Sequence, residues 1–163
     1  MRDTVLFGDC RKTLSTLKAQ ITTGIAEKPR MCVTSPPYYG LRDYGGEESQ
    51  IGMEQSPEEY VEEMVKVFAL VRDCLTDDGT LWLNIGDSYY NYRSDGNYPK
   101  QSVSKTRQDL PLSTPVRGNK LKGYKSKDLI GIPWMLAFAL RADGWYLRQD
   151  IICLLYTSPS PRD

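Results

Sequence analysis

The chain has 163 residues, of which 40% are hydrophobic and 26% charged, and its 21 basic side chains balance 21 acidic ones. This length suits one ordinary domain, and the composition excludes a chain that is disordered throughout. No histidine is present, which excludes a histidine-based catalytic triad, a histidine-ligated haem and a His-Glu-x-x-His zinc site.

The start of the chain predicts a strand, a helix and a second strand. Residues 4–7 form a short apolar run typical of a buried strand, and residues 11–23 space their apolar side chains three and four apart, as on one helix face. Residues 31–34 predict another buried strand. Pro36 and Pro37 end it, because proline cannot donate the hydrogen bonds that a central strand requires.

A long helix is predicted to begin at Ser56. This serine is a typical N-cap, Pro57 suits the first helical position, and apolar residues from Tyr60 to Leu75 follow at helical spacing. A Thr-Asp-Asp-Gly turn then leads into a third predicted strand, at residues 80–85.

The remaining elements complete an alternation of strands and helices. Residues 132–142 predict a buried helix that ends at an Asp-Gly pair, and residues 145–152 predict a fourth strand. This order predicts an α/β fold whose mostly parallel, doubly wound sheet has helices on both faces. Such sheets bind ligands beyond the carboxyl ends of their strands, where we expect Asp9, residues 35–38 and residues 86–87.

Residues 93–127 are strongly basic. They contain nine lysines and arginines against two aspartates, a net charge of +7 in a chain whose total is zero. They are poor in large aliphatic residues and rich in Ser, Gly, Asn, Pro and Tyr, which predicts a long exposed loop inserted in the domain. The loop is either a solvated insertion or a surface for a polyanion, with lysines neutralising phosphates and tyrosines stacking on bases.

A Ser-Pro-Pro-Tyr sequence follows the second predicted strand, at residues 35–38. Alone, a double proline is more often only a stiff turn. Here it is accompanied by Gly-Asp-Cys at residues 8–10 and by further blocks at residues 34–45, 81–89 and 127–152. Together these blocks resemble the amino methyltransferases, S-adenosylmethionine-dependent enzymes that methylate an exocyclic amine of cytosine or adenine in DNA. The resemblance implies a Rossmann-like methyltransferase fold, here partial.

The motif suits the chemistry that this resemblance implies. An exocyclic amine is a poor nucleophile because its lone pair is delocalised into the ring, so a catalyst must place acceptors on its hydrogens. The hydroxyl of Ser35 and the carbonyl of Pro36 can accept those hydrogens, and the adjacent Pro37 holds that carbonyl rigidly. Tyr38 would stack on a base flipped out of the duplex.

Direct transfer to nitrogen requires no covalent adduct with the base. A cytosine-carbon methyltransferase would instead need a cysteine nucleophile beside a proline. Cys32 lies before the turn, inside the predicted strand, and is interpreted as a small buried hydrophobic residue.

The first residue of the motif bears on the target base. In the amino methyltransferases, serine at this position is typical of cytosine-N4 enzymes, and aspartate or asparagine of adenine-N6 enzymes. The resemblance therefore favours the N4 amine of cytosine, with adenine N6 as the alternative. A second alternative is a non-catalytic DNA-binding remnant that uses the basic loop alone.

The resemblance also implies roles for residues outside the motif. Those assigned to S-adenosylmethionine are Asp9, Cys10 and Thr34, although Asp9 could equally cap the following helix. Those assigned to the target base or the DNA are Tyr39, Arg42, Tyr44, Asp87, Lys120, Lys122 and Lys125; Asp87 is also a plausible turn residue. Trp82 and Trp134 are predicted to be core residues.

The chain departs from the family pattern in one respect. The cofactor-binding sequence Phe-x-Gly-x-Gly is absent, as expected if the motifs follow the permuted, beta-class order in which that loop comes near the C-terminus. We therefore interpret residues 1–152 as the N-terminal catalytic part of a methyltransferase domain and expect weak or no S-adenosylmethionine binding by this polypeptide. Residues 153–163 resemble a translated sequencing adapter and are interpreted as a non-native tail, with a natural Ser/Pro tail as the alternative.

Partners and location follow from the same resemblance. We expect double-stranded DNA as substrate, we leave open whether the enzyme has a restriction endonuclease partner or acts without one, and we predict no metal site. The sequence has neither a membrane-length apolar segment nor a signal peptide, which predicts a cytoplasmic protein. Its four cysteines lack Cys-x-x-Cys spacing and are predicted to be reduced thiols.

Overall fold

The computed structural model describes residues 4–40, 50–90, 123–125 and 127–152. Within them, three helices and two strands alternate along the chain: α1 (Cys10–Thr22), β1 (Met31–Thr34), α2 (Pro57–Cys74), β2 (Thr80–Leu83) and α3 (Ile132–Ala142). All five elements lie where the sequence predicted them, to within two residues at each end.

Strands β1 and β2 form a parallel pair joined by the crossover through α2. Met31 pairs with Thr80 and Thr34 with Leu83. The backbone amide of Asn84 donates to the Thr34 carbonyl at 2.9 Å, which carries the pairing one residue further. Both strands therefore end at the same edge of the sheet, as the predicted parallel arrangement requires.

Local capping explains where α1 and α2 begin. Asp9 is the N-cap of α1, and its side chain accepts from the backbone amide of Arg11. Ser56 is the N-cap of α2, where its hydroxyl accepts from the Glu59 amide at 3.2 Å, and Pro57 follows in the first turn. These contacts satisfy amides that the first turn of a helix leaves unpaired, and they confirm the predicted start of α2.

The hydrophobic core lies between one face of the sheet and helices α2 and α3. Helix α2 contributes Tyr60, Met64 and Phe68, and α3 contributes Ile132 and Leu136, all nearly inaccessible to solvent. The sheet contributes its inward-facing residues, Cys32, Leu81 and Leu83, which pack against this cluster. Helix α1 packs against α2.

Two predicted strands are absent from the structure. Residues 4–7 and 145–152 belong to neither strand of the described sheet, and their apolar side chains are largely exposed, as for Phe7 (88%) and Ile152 (74%). An apolar run becomes a buried strand only where a neighbouring strand and a covering layer receive it. The described residues provide neither for these two segments.

The sheet is covered on one face only within the described residues, whereas the sequence predicted helices on both. Alternation along β1 and β2 turns Met31, Val33 and Trp82 away from α2 and α3, and these side chains are 56%, 69% and 49% exposed. Trp134, on the outer side of α3, is also 49% exposed. The predictions that β1 is fully buried and that Trp82 and Trp134 are core residues were therefore wrong.

Most of the predicted basic loop and the whole predicted non-native tail lie outside the described residues. After the loop, the chain returns alongside the segment that follows β2: Tyr89 and Leu129 form an antiparallel bridge, and the Ile130 amide donates to the Ser88 carbonyl at 3.0 Å. Among the described residues, no helix has the length and apolar character needed to cross a bilayer.

Candidate active site

The Ser-Pro-Pro-Tyr turn leaves the sheet at the carboxyl end of β1. Ser35 is the first residue after the strand and is exposed; Pro36 and Tyr38 are half-buried, and Pro37 is exposed. An exposed hydroxyl on a stiff turn is available to an incoming ligand. The turn thus lies at the sheet edge where the sequence predicted a site.

The end of β2 packs directly against this turn. A Cβ atom on Gly86 would lie 3.0 Å from Cε2 and 3.3 Å from Cδ2 of Tyr38, so the tyrosine ring rests on the bare glycine backbone. The Ser88 hydroxyl donates to the Tyr39 carbonyl at 2.8 Å. These contacts confirm that residues 35–38 and 86–87 meet at one edge of the sheet.

A second contact comes from the segment that precedes α2. The Gly40 amide donates to the Gly52 carbonyl at 2.8 Å. Gly52 has a φ of 99°, and a Cβ there would lie 3.0 Å from the Tyr38 carbonyl oxygen and 3.4 Å from Cβ of Pro37. Only glycine combines that backbone conformation with so close an approach. Glu54 accepts from the Gly52 amide at 2.9 Å and fixes this segment.

Helix α2 supplies a third contact from beneath the turn. The Tyr60 hydroxyl donates to the Pro37 carbonyl at 2.8 Å. The Tyr60 ring lies 5.6 Å from the ring of Tyr39, inclined by 52°, which is a favourable tilted aromatic pair. The turn is therefore held by three separate parts of the chain.

Two tyrosines next to the turn, Tyr39 and Tyr60, are buried enough to raise their pKa values. Burial, with a smaller contribution from Glu54 and Glu58, raises the pKa of Tyr39 to about 12. Burial likewise raises the pKa of Tyr60 and that of Glu54 above their usual values. Both tyrosines therefore remain protonated at neutral pH, and the Tyr60 hydroxyl remains a donor.

Asp87 holds the N-terminus of α3. Its carboxylate accepts from the amides of Gly131 and Ile132, each at 3.0 Å, and from that of Ser88 at 2.8 Å. Gly131, the N-cap residue, has no side chain to do this. A carboxylate beside a helix N-terminus is also favoured by the helix dipole. Asp87 therefore caps α3 from 44 residues earlier in the sequence, a contact that the turn pattern alone did not reveal.

Asp9 and Cys10 lie at the start of α1. The Asp9 carboxylate forms an ion pair with Arg11, 2.8 Å from its Nη2, and these hydrogen bonds lower the pKa of Asp9. Arg11 also lies 3.6 Å from Glu63 of α2. Cys10 is an exposed free thiol. The predicted capping role of Asp9 is confirmed.

The other predicted site residues divide into two groups. Thr34 ends β1 directly before the turn. Lys125 is exposed near the end of the basic loop, where its amide donates to Asp128 at 2.9 Å. Four of the residues predicted to contact DNA lie outside the described residues: Arg42, Tyr44, Lys120 and Lys122.

Cys32 sits on the covered face of β1. It packs against the core cluster, and burial raises the pKa of its thiol above the ordinary value. A protonated thiol inside the sheet is a poor nucleophile. This agrees with the interpretation of Cys32 as a packing residue.

Sequence reasoning missed the residues that hold the turn. Tyr60 was predicted only as a core position of α2, and Gly52 and Ser88 were assigned no role. The helical spacing of Tyr60 indicates burial but not which carbonyl its hydroxyl meets. The contact joins residues 23 positions apart, and such a pairing is visible only once the chain is folded.

Comparison with known proteins identifies the family. Residues 30–156, which include the turn and most of the described structure, match the model of a family described as DNA methylase, the N6/N4 methyltransferases. The chain belongs to this family. No solved structure matches the chain.

Three curated relatives are type II methyltransferases. M.XycI of Xanthomonas campestris pv. cyanopsidis is 52% identical over 123 residues, and M.Cfr9I of Citrobacter freundii is 50% identical over 123 residues; each match covers 76% of this chain and 39% of the relative. M.SmaI of Serratia marcescens is 44% identical over 152 residues, covering 91% of this chain and 46% of the relative. The chain spans less than half the length of these three methyltransferases.

Three residues of this chain were expected to meet S-adenosylmethionine: Asp9, Cys10 and Thr34. Of the three residues assigned to it, Asp9 has both carboxylate oxygens engaged by Arg11. The glycine-rich sequence that the resemblance leads us to expect is absent from the 163 residues.

Proposed function

We propose that this chain is the catalytic part of a DNA methyltransferase that transfers a methyl group from S-adenosylmethionine to the N4 amine of cytosine. The observation that carries the proposal is the Ser-Pro-Pro-Tyr turn at the carboxyl end of β1, held against the end of β2 by the contact between Tyr38 and Gly86. Membership of the N6/N4 methyltransferase family supports the same chemistry.

The turn would act by orienting the amine. S-adenosylmethionine supplies an electrophilic methyl group when bound, and Asp9, Cys10 and Thr34 are the residues of this chain proposed to meet it. The Ser35 hydroxyl and the Pro36 carbonyl accept hydrogen bonds from the amine and so favour a lone pair that is free of the ring. Tyr38 stacks on the flipped base, since an amine inside the duplex cannot be reached.

DNA would be held by the residues around this turn and by the basic loop. Those proposed to contact it are Tyr39, Arg42, Tyr44, Asp87, Lys120, Lys122 and Lys125. In this structure the carbonyl of Tyr39 and the carboxylate of Asp87 also hold the framework of the site, so their effect on DNA binding would be partly indirect. We propose double-stranded DNA as substrate and a restriction endonuclease as partner in the same system; the relatives are named type II methyltransferases.

Replacing Ser35 tests the proposal. In the protein carried to the full length of its relatives, Ser35→Ala should lower kcat for methylation of double-stranded DNA by roughly 10²- to 10³-fold, the usual effect of removing one positioned hydrogen-bonding group. Ser15→Ala, which removes an exposed hydroxyl on α1 that donates to the Arg11 carbonyl, is the matched control and should leave kcat unchanged. Equal activity of Ser35→Ala and wild type would contradict the assigned role.

Two alternatives predict different results. An adenine-N6 enzyme would show the same dependence on Ser35 but would place the methyl group on adenine. A non-catalytic DNA-binding remnant would support no methyl transfer, and its binding would depend steeply on salt through the basic loop while Ser35→Ala and Tyr38→Ala left it unchanged.

A further inference from the structure

We propose that Tyr60 is a positioning residue for methyl transfer: its hydroxyl holds the Pro37 carbonyl and thereby fixes the groups of the turn that meet the target base. This inference rests on the proposed function. It assigns α2 a part in the reaction beyond covering the sheet.

The contact has the geometry of a strong neutral hydrogen bond. The Tyr60 hydroxyl lies 2.8 Å from the Pro37 carbonyl oxygen, and the Tyr60 side chain is 0% exposed although Pro37 itself is exposed. A buried phenol hydroxyl needs a hydrogen-bond partner. The partner of the Tyr60 hydroxyl does not belong to α2. The partner is instead a carbonyl inside the Ser-Pro-Pro-Tyr motif.

The two proline rings leave the turn few free backbone rotations, so the orientation of the Pro37 carbonyl largely sets its conformation. The rings of Pro36 and Pro37 fix the φ angles of both residues, and the peptide bond between them is planar. The main rotation left at Pro37 turns its carbonyl and sets the direction in which the chain continues to Tyr38. Fixing that carbonyl therefore fixes the start of the Tyr38 backbone relative to the Pro36 carbonyl, and the contact with Gly86 then holds the Tyr38 ring.

Tyr60 is itself held rigidly. It lies one helical turn after the Ser56 cap, and its amide donates to the Ser56 carbonyl at 3.2 Å. Its ring packs on that of Tyr39, 5.6 Å away. A rigid donor restricts the turn far more than a mobile side chain would.

Replacement of the hydroxyl alone tests the inference. In the full-length protein, Tyr60→Phe should lower kcat for DNA methylation by roughly 10- to 100-fold, since a small misplacement of reacting groups is costly. The KM values for DNA and methyl donor should stay within about twofold, because ground-state binding is not removed. Tyr146→Phe is the matched control: it removes the hydroxyl of a tyrosine that is 80% exposed and contacts no residue of the turn, and kcat should not change.

A double-mutant cycle separates positioning from lost stability. If Tyr60 acts through the turn, Tyr60→Phe should have a much smaller effect on kcat in a Tyr38→Ala background than in wild type. Effects that multiply independently would overturn the inference, as would a kcat loss that only follows the folded fraction measured by circular dichroism. An active wild type with an unimpaired Tyr60→Phe would overturn this inference alone. A wild type that methylates no base would overturn the proposed function together with it.

Discussion

Two glycines let other segments of the chain pack closely against the candidate site. Gly86 lets the Tyr38 ring rest on the backbone, and Gly52 lets the segment before α2 approach the Tyr38 carbonyl. Neither role could be predicted from the sequence, because a glycine signals only that a side chain is missing. The structure adds what occupies the space: in both cases it is the Ser-Pro-Pro-Tyr turn.

The burial of Tyr39 can be tested by measuring how stability changes with pH. Its pKa is raised to about 12, and that of Tyr60 is raised as well, mainly because burial disfavours the phenolate. A group whose pKa is higher in the folded than in the unfolded state stabilises the fold fully below the unfolded pKa, about 10 for tyrosine, and loses that contribution as the pH rises through the folded value.

We therefore expect stability to fall between pH 10 and about 12 as these tyrosines ionise. Thermal unfolding measured across this range, with tyrosinate absorbance recorded in parallel, checks the prediction. Tyr39→Phe should flatten the fall in Tm. Ionisation of every tyrosine near pH 10 in a chain that is still folded would contradict the burial described here.

At the scale of elements, the sequence predicted the helices well and the strands only in part. The helices could be predicted because their signals act through neighbouring residues. These signals are the helical spacing, the Ser56 cap with Pro57, and the Asp-Gly pair that ends α3. The runs at residues 4–7 and 145–152 have the composition of strands, but strand formation also depends on a partner elsewhere. The described residues contain no partner for them, and the prediction was wrong.

The cap of α3 is an element-scale contact that can be measured. Asp87→Ala removes a carboxylate that accepts from the amides of Ser88, Gly131 and Ile132, and it should destabilise the fold by about 1–3 kcal/mol. Denaturant unfolding monitored by circular dichroism gives this value.

The matched control is Asp128→Ala, which removes a carboxylate that accepts from the exposed amide of Lys125 at 2.9 Å. Its cost should be below about 1 kcal/mol, because the group is solvated. Equal losses for the two variants would show that Asp87 does not support α3 in the way described.

At the scale of the whole molecule, the sheet has one covered and one open face within the described residues. Parallel sheets are ordinarily buried on both faces, so an open face is unusual for a parallel pair. Val33, at 69% exposed, lies on the open face, while Leu83 on the paired strand packs against the core. The sequence predicted the alternation of elements but not which face would remain open.

This difference between the faces predicts opposite results for two similar substitutions. Val33→Asp should leave the unfolding free energy within about 1 kcal/mol, because this side chain lies on the open face. Leu83→Asp should cost more than about 3 kcal/mol, because it places a charge against the core. Comparable destabilisation by both would contradict the described arrangement.

Binding of the methyl donor can be measured on the 163-residue chain itself. Asp9, Cys10 and Thr34 are the proposed contacts, and the expected glycine-rich sequence is absent from the chain. We therefore predict weak or no binding of S-adenosylmethionine to the 163-residue polypeptide in calorimetry. Saturable binding in the micromolar range would show that these residues suffice.

The identity of the methylated base tests the central claim most directly. For this measurement, the protein is produced at the length of its relatives and incubated with double-stranded DNA, which is then digested to nucleosides for mass spectrometry. We predict N4-methylcytosine, formed far more slowly when Ser35 is replaced by alanine. N6-methyladenine would contradict the assignment of cytosine, and the absence of any methylated base would contradict the catalytic role of the Ser-Pro-Pro-Tyr turn.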